Sequence, residues 1–129
     1  MEKKRHVIAL AGQKKLYGEM ELLSNRLQYE SSFLDFDLIV LTPFLTPYIS
    51  PNPSKDEIDT LHRYFDRKIE MCDIMMVITW NHYVGSDTFR EIITARRLDK
   101  AIQIVDIRTD TFDDILNFIK VYFSSTETL

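Results

Sequence analysis

The chain is poor in cysteine and glycine, and it lacks long apolar runs. Cys72 is the only cysteine, so an intrachain disulfide and a zinc site of cysteine pairs are both excluded. A lone cysteine suits a reducing cytosol, and a cytoplasmic location is expected. Only three glycines occur, and neither Gly-x-Gly-x-x-Gly nor the phosphate-loop Lys-Ser/Thr is present. No two histidines stand at metal-ligand spacing, and no cofactor or metal is expected. No stretch nears the roughly 20 apolar residues of a membrane-spanning helix. The run Val7-Ile8-Ala9-Leu10-Ala11 is too short for a secretory signal and is broken by Gly12-Gln13-Lys14-Lys15. Basic charge is not concentrated either. The net charge is −4, and Lys3-Lys4-Arg5 reads as a solvated tail, so neither polymeric nucleic acid nor membrane is an expected partner.

What is present is an ordinary globular balance, 45% hydrophobic and 28% charged, enough for one core. At 129 residues the chain fits a single domain over residues 1–129. His6 to Ala11 reads as a buried strand closed by Gly12. Leu16, Met20, Leu23 and Leu27 mark one face of a helix reaching about Glu30. Phe36 to Leu41 reads as a second strand. Thr42 to Lys55 holds all four prolines, with Phe44, Leu45, Tyr48 and Ile49 among them, and reads as an apolar loop. Phe44 and Tyr48 are candidates for a lid or a subunit contact.

Ser54-Lys55-Asp56-Glu57 has the form of a capping box, so a helix follows. Ile58, Leu61, Phe65, Ile69 and Cys72 continue its apolar face. Asp73 to Thr79 reads as a strand buried on both faces, with Met71, Met75 and Met76 in the core. A loop from Trp80 to Ser86 leads to a helix ending near Leu98, a strand from Ala101 to Val105, and a last helix from about Thr111 to Phe123. Ser124 to Leu129 is expected to fray.

Strict alternation of strands and helices implies a three-layer α/β/α domain with a parallel sheet of four to five strands, flavodoxin-like or Rossmann-like. In such sheets ligands sit beyond the carboxyl ends of the strands. Gly12 to Lys15, Thr42 to Ser54, Trp80 to Thr88, and Asp106 to Asp110 are thereby expected on one rim.

The most informative stretch is Tyr83-Val84-Gly85-Ser86-Asp87-Thr88-Phe89-Arg90-Glu91, after a strand opened by Cys72-Asp73. Together with Ile8-Ala9-Leu10-Ala11-Gly12-Gln13, Leu61-His62, Arg67 to Met71 and Ala95, it resembles the nucleoside 2-deoxyribosyltransferase-like family over roughly residues 6 to 106. The resemblance implies breakage or transfer at the N-glycosidic bond of a (deoxy)nucleoside or nucleotide. It implies Glu91 as the carboxylate nucleophile and Asp73 as a second catalytic acid. Gly12, Gln13, Tyr83, Gly85, Ser86, Asp87 and Thr88 are the implied substrate contacts, and homo-oligomers are implied as well. Glu91 in a first helical turn is expected to be kept ionised by the helix dipole.

Other readings of the same residues stand beside these. Thr88-x-x-Glu91 is itself a capping box, and Asp87 is equally an N-cap. Lys14 and Lys15 read as solvent-facing, and Trp80, His82 and Tyr83 as ligand contacts or loop packing. Asp87 and Gln13 replace smaller residues usual in the family, which points to a non-catalytic nucleotide-binding module as the alternative. The apolar proline-rich loop points to a third, an interaction protein.

Overall fold

The computed structural model describes residues 3–43 and 52–127. Four strands alternate with four helices: β1 (Lys4–Gly12), α1 (Tyr17–Ser31), β2 (Phe36–Leu41), α2 (Lys55–Met71), β3 (Ile74–Thr79), α3 (Ser86–Arg97), β4 (Ala101–Asp106) and α4 (Phe112–Glu127). A 3-10 turn, Lys14–Leu16, precedes α1. The strands form one parallel sheet ordered β2-β1-β3-β4. Ile8 lies level with Val40 on one side and Ile74 on the other, and Gly12 pairs with Ile78.

Alternation along the central strands makes two cores. Ile8 and Leu10 of β1, with Ile74, Met76 and Ile78 of β3, face α1 and α4, where Met20, Leu27, Ile119 and Phe123 complete the layer. Ala9 and Ala11, with Met75 and Val77, face Phe65 and Ile69 of α2 and Ala95 of α3. The small alanines let α3 lie close to the sheet. Each fully buried Ile, Leu or Met contributes roughly 1.5–3 kcal/mol. The central strands, fully buried along most of their length, are therefore the firmest part of the molecule, and their carboxyl ends are well-anchored points for a site.

The capping box at Ser54 is formed: its hydroxyl accepts from the Glu57 amide, and the Glu57 carboxylate accepts from the Ser54 amide. Two expectations are corrected. Met71 is 60% exposed, because it ends α2 on the side away from the sheet, whereas Met75 and Met76 are fully buried. Helix α4 runs to Glu127 rather than fraying from Ser124, since Ser-Ser-Thr-Glu holds no glycine or proline to stop it. Phe44 and Tyr48, and with them the proposed lid, lie outside the described residues.

Candidate active site at the carboxyl edge of the sheet

Helix α3 begins at Ser86 with Gly85 as its N-cap, three residues before the Thr88 expected from the capping-box pattern. The Phe89 amide donates to the Gly85 carbonyl at 2.9 Å. Thr88 is consequently inside the helix and buried, and Glu91 falls in the second turn. Both the capping-box reading of Glu91 and its first-turn placement are corrected by this start. Thr88, Glu91 and Ala95 are spaced three and four apart, so Glu91 shares the inward face of α3 with two buried residues.

That face decides its electrostatics. Burial pushes the Glu91 carboxyl up to about 7; the adjacent Arg90 opposes the rise, while Asp87 and Asp66 add to it. The helix dipole fades beyond the first turn, so the expected support for the ionised form is outweighed. Among the described residues, the buried Oε2 of Glu91 has no hydrogen-bond partner. Buried carboxylate oxygens are normally satisfied; this one and Asp106 Oδ2 are exceptions.

Helix α2 brings in residues that the sequence reading missed. Asp66 receives the Arg90 guanidinium through Nη1 at 3.2 and 3.4 Å, and His62 Nε2 lies 3.8 Å from Asp87 Oδ1. The pairs 62–87 and 66–90 keep step along the α2–α3 contact. Their only local signal was that His62 and Asp66, at i and i+4, border the apolar stripe Leu61-Phe65-Ile69. Tyr17, at the start of α1 in the opposite layer, feels the charges of this group. Burial raises its phenol pKa, and the charges of Glu91 and then Asp87 raise it further.

The first and third loops meet at the same edge. A Cβ on Gly85 would lie 3.3 Å from Gln13 Nε2, so the Gln13 side chain reaches the α3 cap. Ser86 and Asp87 are exposed there, and Tyr83 is 59% exposed. Lys15 Nζ stands 6.0 Å from the Tyr83 ring centroid. Gly12 closes β1, where a Cβ would meet the Ile78 carbonyl oxygen at 2.8 Å as well as the end of Met20. Its missing side chain serves the crossing of β1, β3 and α1. Lys68 of α2 donates to the Thr42 carbonyl just beyond β2.

Asp73 is not part of this group. It precedes β3 at the amino edge, where its Oδ2 accepts the Val7 amide at 2.8 Å and lies 3.9 Å from His6 Nδ1. The backbone binds it too, since its own amide donates to the Val7 carbonyl at 2.7 Å. Parallel strands run their carboxyl ends to one edge, and Asp73 stands at the other.

The chain matches no protein-family model and no curated protein. Geometry alone therefore describes what the rim can do. It gathers a half-buried carboxyl with its pKa raised to about 7, a phenol that feels its charge, an Arg–Asp pair next to it along α3 and exposed aromatic residues nearby. Among the described residues, no group of three His, Cys, Asp or Glu side chains is placed to hold a metal ion, and no helix is long and apolar enough to cross a membrane.

Proposed function

We propose that the chain cleaves or transfers at the N-glycosidic bond of a (deoxy)nucleoside or nucleotide, with Glu91 as the nucleophile. One observation carries the reading: a half-buried carboxyl at the carboxyl edge whose buried Oε2 has no partner among the described residues, with its pKa pushed up to about 7. Perturbed acids of this kind concentrate at functional sites. In the proposed first step an ionised Glu91 oxygen bonds to the anomeric carbon as the carbon–nitrogen bond breaks. The bond's electron pair leaves on the base nitrogen, which takes up a proton. Water or a second base then displaces the carboxylate, which leaves with its electron pair. In this reading the Arg90–Asp66 pair holds charge beside the carboxylate.

The test is a panel of 2′-deoxynucleosides and their monophosphates incubated with the protein, with free base followed by chromatography. Base release or exchange is expected, together with its loss in Glu91→Ala at unchanged circular dichroism. Release that persists in the variant removes Glu91 from the mechanism. The second reading, a nucleotide-binding module without turnover, is favoured by the acidic surroundings, since Asp87 and Asp66 both disfavour ionised Glu91. It requires nucleotide-dependent thermal stabilisation with no product. Cytoplasmic location and homo-oligomeric assembly belong to the proposal. Leu22, Tyr29 and Phe33, all at least 65% exposed on and just after α1, support assembly.

A further inference from the structure

The turn after β3 is costly in a way the sheet does not require. Trp80 and Tyr83 form an isolated antiparallel bridge across Asn81 and His82. Both turn residues hold left-handed φ angles, 55° and 61°. Two such residues make a tight hairpin turn, which asparagine and glycine fit readily. Histidine is found there more often than most side chains but still at a cost, and glycine would hold position 82 without strain.

The histidine ring is placed against a buried charge. The side chain of Asp106, at the end of β4, is 1% exposed, and its Oδ2 lies 3.3 Å from His82 Nε2. Its Oδ1 accepts the amides of Asn81 at 3.2 Å and Arg108 at 3.0 Å. Burial works against this carboxylate, but the Arg108 and Asn81 amides, then His82 and Arg108, outweigh it and hold the carboxyl below its ordinary range. Asp106 thus braces the turn from behind through the Asn81 amide, with the His82 ring set against an Oδ2 that has no hydrogen bond among the described residues.

The brace leaves two aromatic rings presented to water. Partners across an antiparallel bridge project from one face, and here Trp80 is 50% and Tyr83 59% exposed. Lys15, in the connection leading to Tyr17, sits over the Tyr83 ring. Gly85, two residues after Tyr83, caps α3 and is reached by Gln13, so the aromatic face stands at the same edge as the helix that carries Glu91.

We infer that the Trp80–Tyr83 turn is the wall on which the planar heteroaromatic ring of a nucleoside stacks, and that Asp106 is the positioning residue that holds it in place. The inference rests on the proposed action at nucleosides and assigns that action its base-side subsite. Stacking uses the π face that every base has, so purines and pyrimidines both bind.

Trp80 is the only tryptophan in the chain, so its emission reports on this wall directly. The protein is titrated with 2′-deoxyadenosine and 2′-deoxycytidine, with 2-deoxyribose as the control without a ring. Saturable quenching by both nucleosides and none by the sugar is expected. Tyr83→Ala weakens the apparent affinity about tenfold, and Tyr83→Phe restores it. No saturable change with the nucleosides, an equal change with the sugar, or wild-type affinity in Tyr83→Ala overturns the inference.

His82→Gly fits the backbone and removes the ring that meets Asp106. It is expected to lower Trp80 anisotropy and weaken binding while the melting temperature holds. Asp106→Asn is expected to do the same with a lower melting temperature. Unchanged anisotropy and affinity in both variants overturns the role of Asp106. Base release measured on the same samples separates the two claims. Quenching without release upholds the stacking wall and sinks the glycosidic reading, and release without quenching does the reverse.

Discussion

Asp73 and Glu91 are both acids next to β3, one before the strand and one after it, and the structure treats them in opposite ways. The six residues of β3 separate their two edges by roughly 20 Å, at about 3.3 Å per residue. Asp73 exchanges hydrogen bonds with the backbone of Val7 and stands by His6, so it clips the start of β3 to β1. Its side chain is 47% exposed and its charge rests in water. Glu91 is half-buried, holds a buried carboxylate oxygen without a partner among the described residues, and has its pKa pushed up to about 7. An acid whose oxygens serve the main chain stabilises the fold. An acid with a buried oxygen and no such partner weakens the fold when it ionises, and it retains the reactivity that the other has lost.

The largest expected effect sets these acids directly against each other. Glu91→Gln keeps the shape and removes the nucleophile, and base release is expected to fall by roughly 10³-fold or more. Asp73→Asn keeps an oxygen for the Val7 amide and is expected to change turnover by less than about threefold. Its cost appears instead as roughly 1–2 kcal/mol of stability, the scale of a weakened hydrogen bond to a charged group. Initial rates and urea midpoints on both variants check the contrast. Equal losses of turnover would break it.

The second effect is on stability, and its sign follows from the direction of the Glu91 shift. A folded-state pKa raised from 4.5 to about 7 gives stability that is complete below about pH 4.5. That stability is lost as pH rises through about 7. At about 1.4 kcal/mol per unit the whole span is worth roughly 3 kcal/mol. Glu91→Gln cannot ionise, so it should match the parent near about pH 5 and exceed it by roughly 2–3 kcal/mol near about pH 8. Urea unfolding at the two pH values measures this. A variant no more stable than the parent at the higher pH would mean that the carboxylate is not penalised. Activity moves the other way, rising as Glu91 ionises between about pH 6 and 8.

The strands and helices were legible because burial on two faces leaves continuous apolar runs such as Ile74 to Thr79, while α2 and α4 carry clear helical periods. The start of α3 was not. Gly85, Ser86, Asp87 and Thr88 are four consecutive N-cap formers, and local pattern cannot choose among them. That ambiguity moved Glu91 by one turn and with it the expected sign of its pKa shift. Tyr17, His62, Asp66 and Arg90 were missed for another reason. His62, Asp66 and Arg90 come together only because α2 packs against α3, and Tyr17 enters only through the charges of Glu91 and Asp87 that it feels from the opposite layer; nothing within one helix records either. Asp73 was assigned to the site by the order of motifs, although its place at the opening of a strand already put it on the far edge.

A third effect tests the scaffold beneath Glu91. Gly12 was expected to touch substrate, but it also sits where β1, β3 and α1 crowd together. In Gly12→Ala the new methyl would meet the Ile78 carbonyl oxygen at 2.8 Å. Met20 can turn aside, but the backbone of the central strand cannot do so cheaply. A loss of about 1–3 kcal/mol is expected, with the carboxyl edge disturbed and the Asp73 clip intact. Amide hydrogen exchange resolves the two edges. Protection lost equally at both would show that they are not independent.

The smallest effect is the most specific. Asp87 raises the Glu91 pKa through its like charge, but its own side chain is 79% exposed and stands 3.8 Å from His62 Nε2. Water and salt screen such a charge, and exposed pairs are worth about 0.2–1 kcal/mol. Asp87→Asn should therefore lower the Glu91 pKa by only a few tenths of a unit and move the rising limb of the pH–rate profile down by the same amount. The shift should shrink as ionic strength increases, because Asp87 acts through solvent. The rise caused by burial should stay, because salt does not rehydrate a buried carboxyl. A Glu91 carbon-13 titration at low and high salt separates the two contributions. If Asp87→Asn returned the carboxyl to about 4.5, charge repulsion at the rim would have set its pKa, and burial on the inner face of α3 would no longer account for the difference from Asp73.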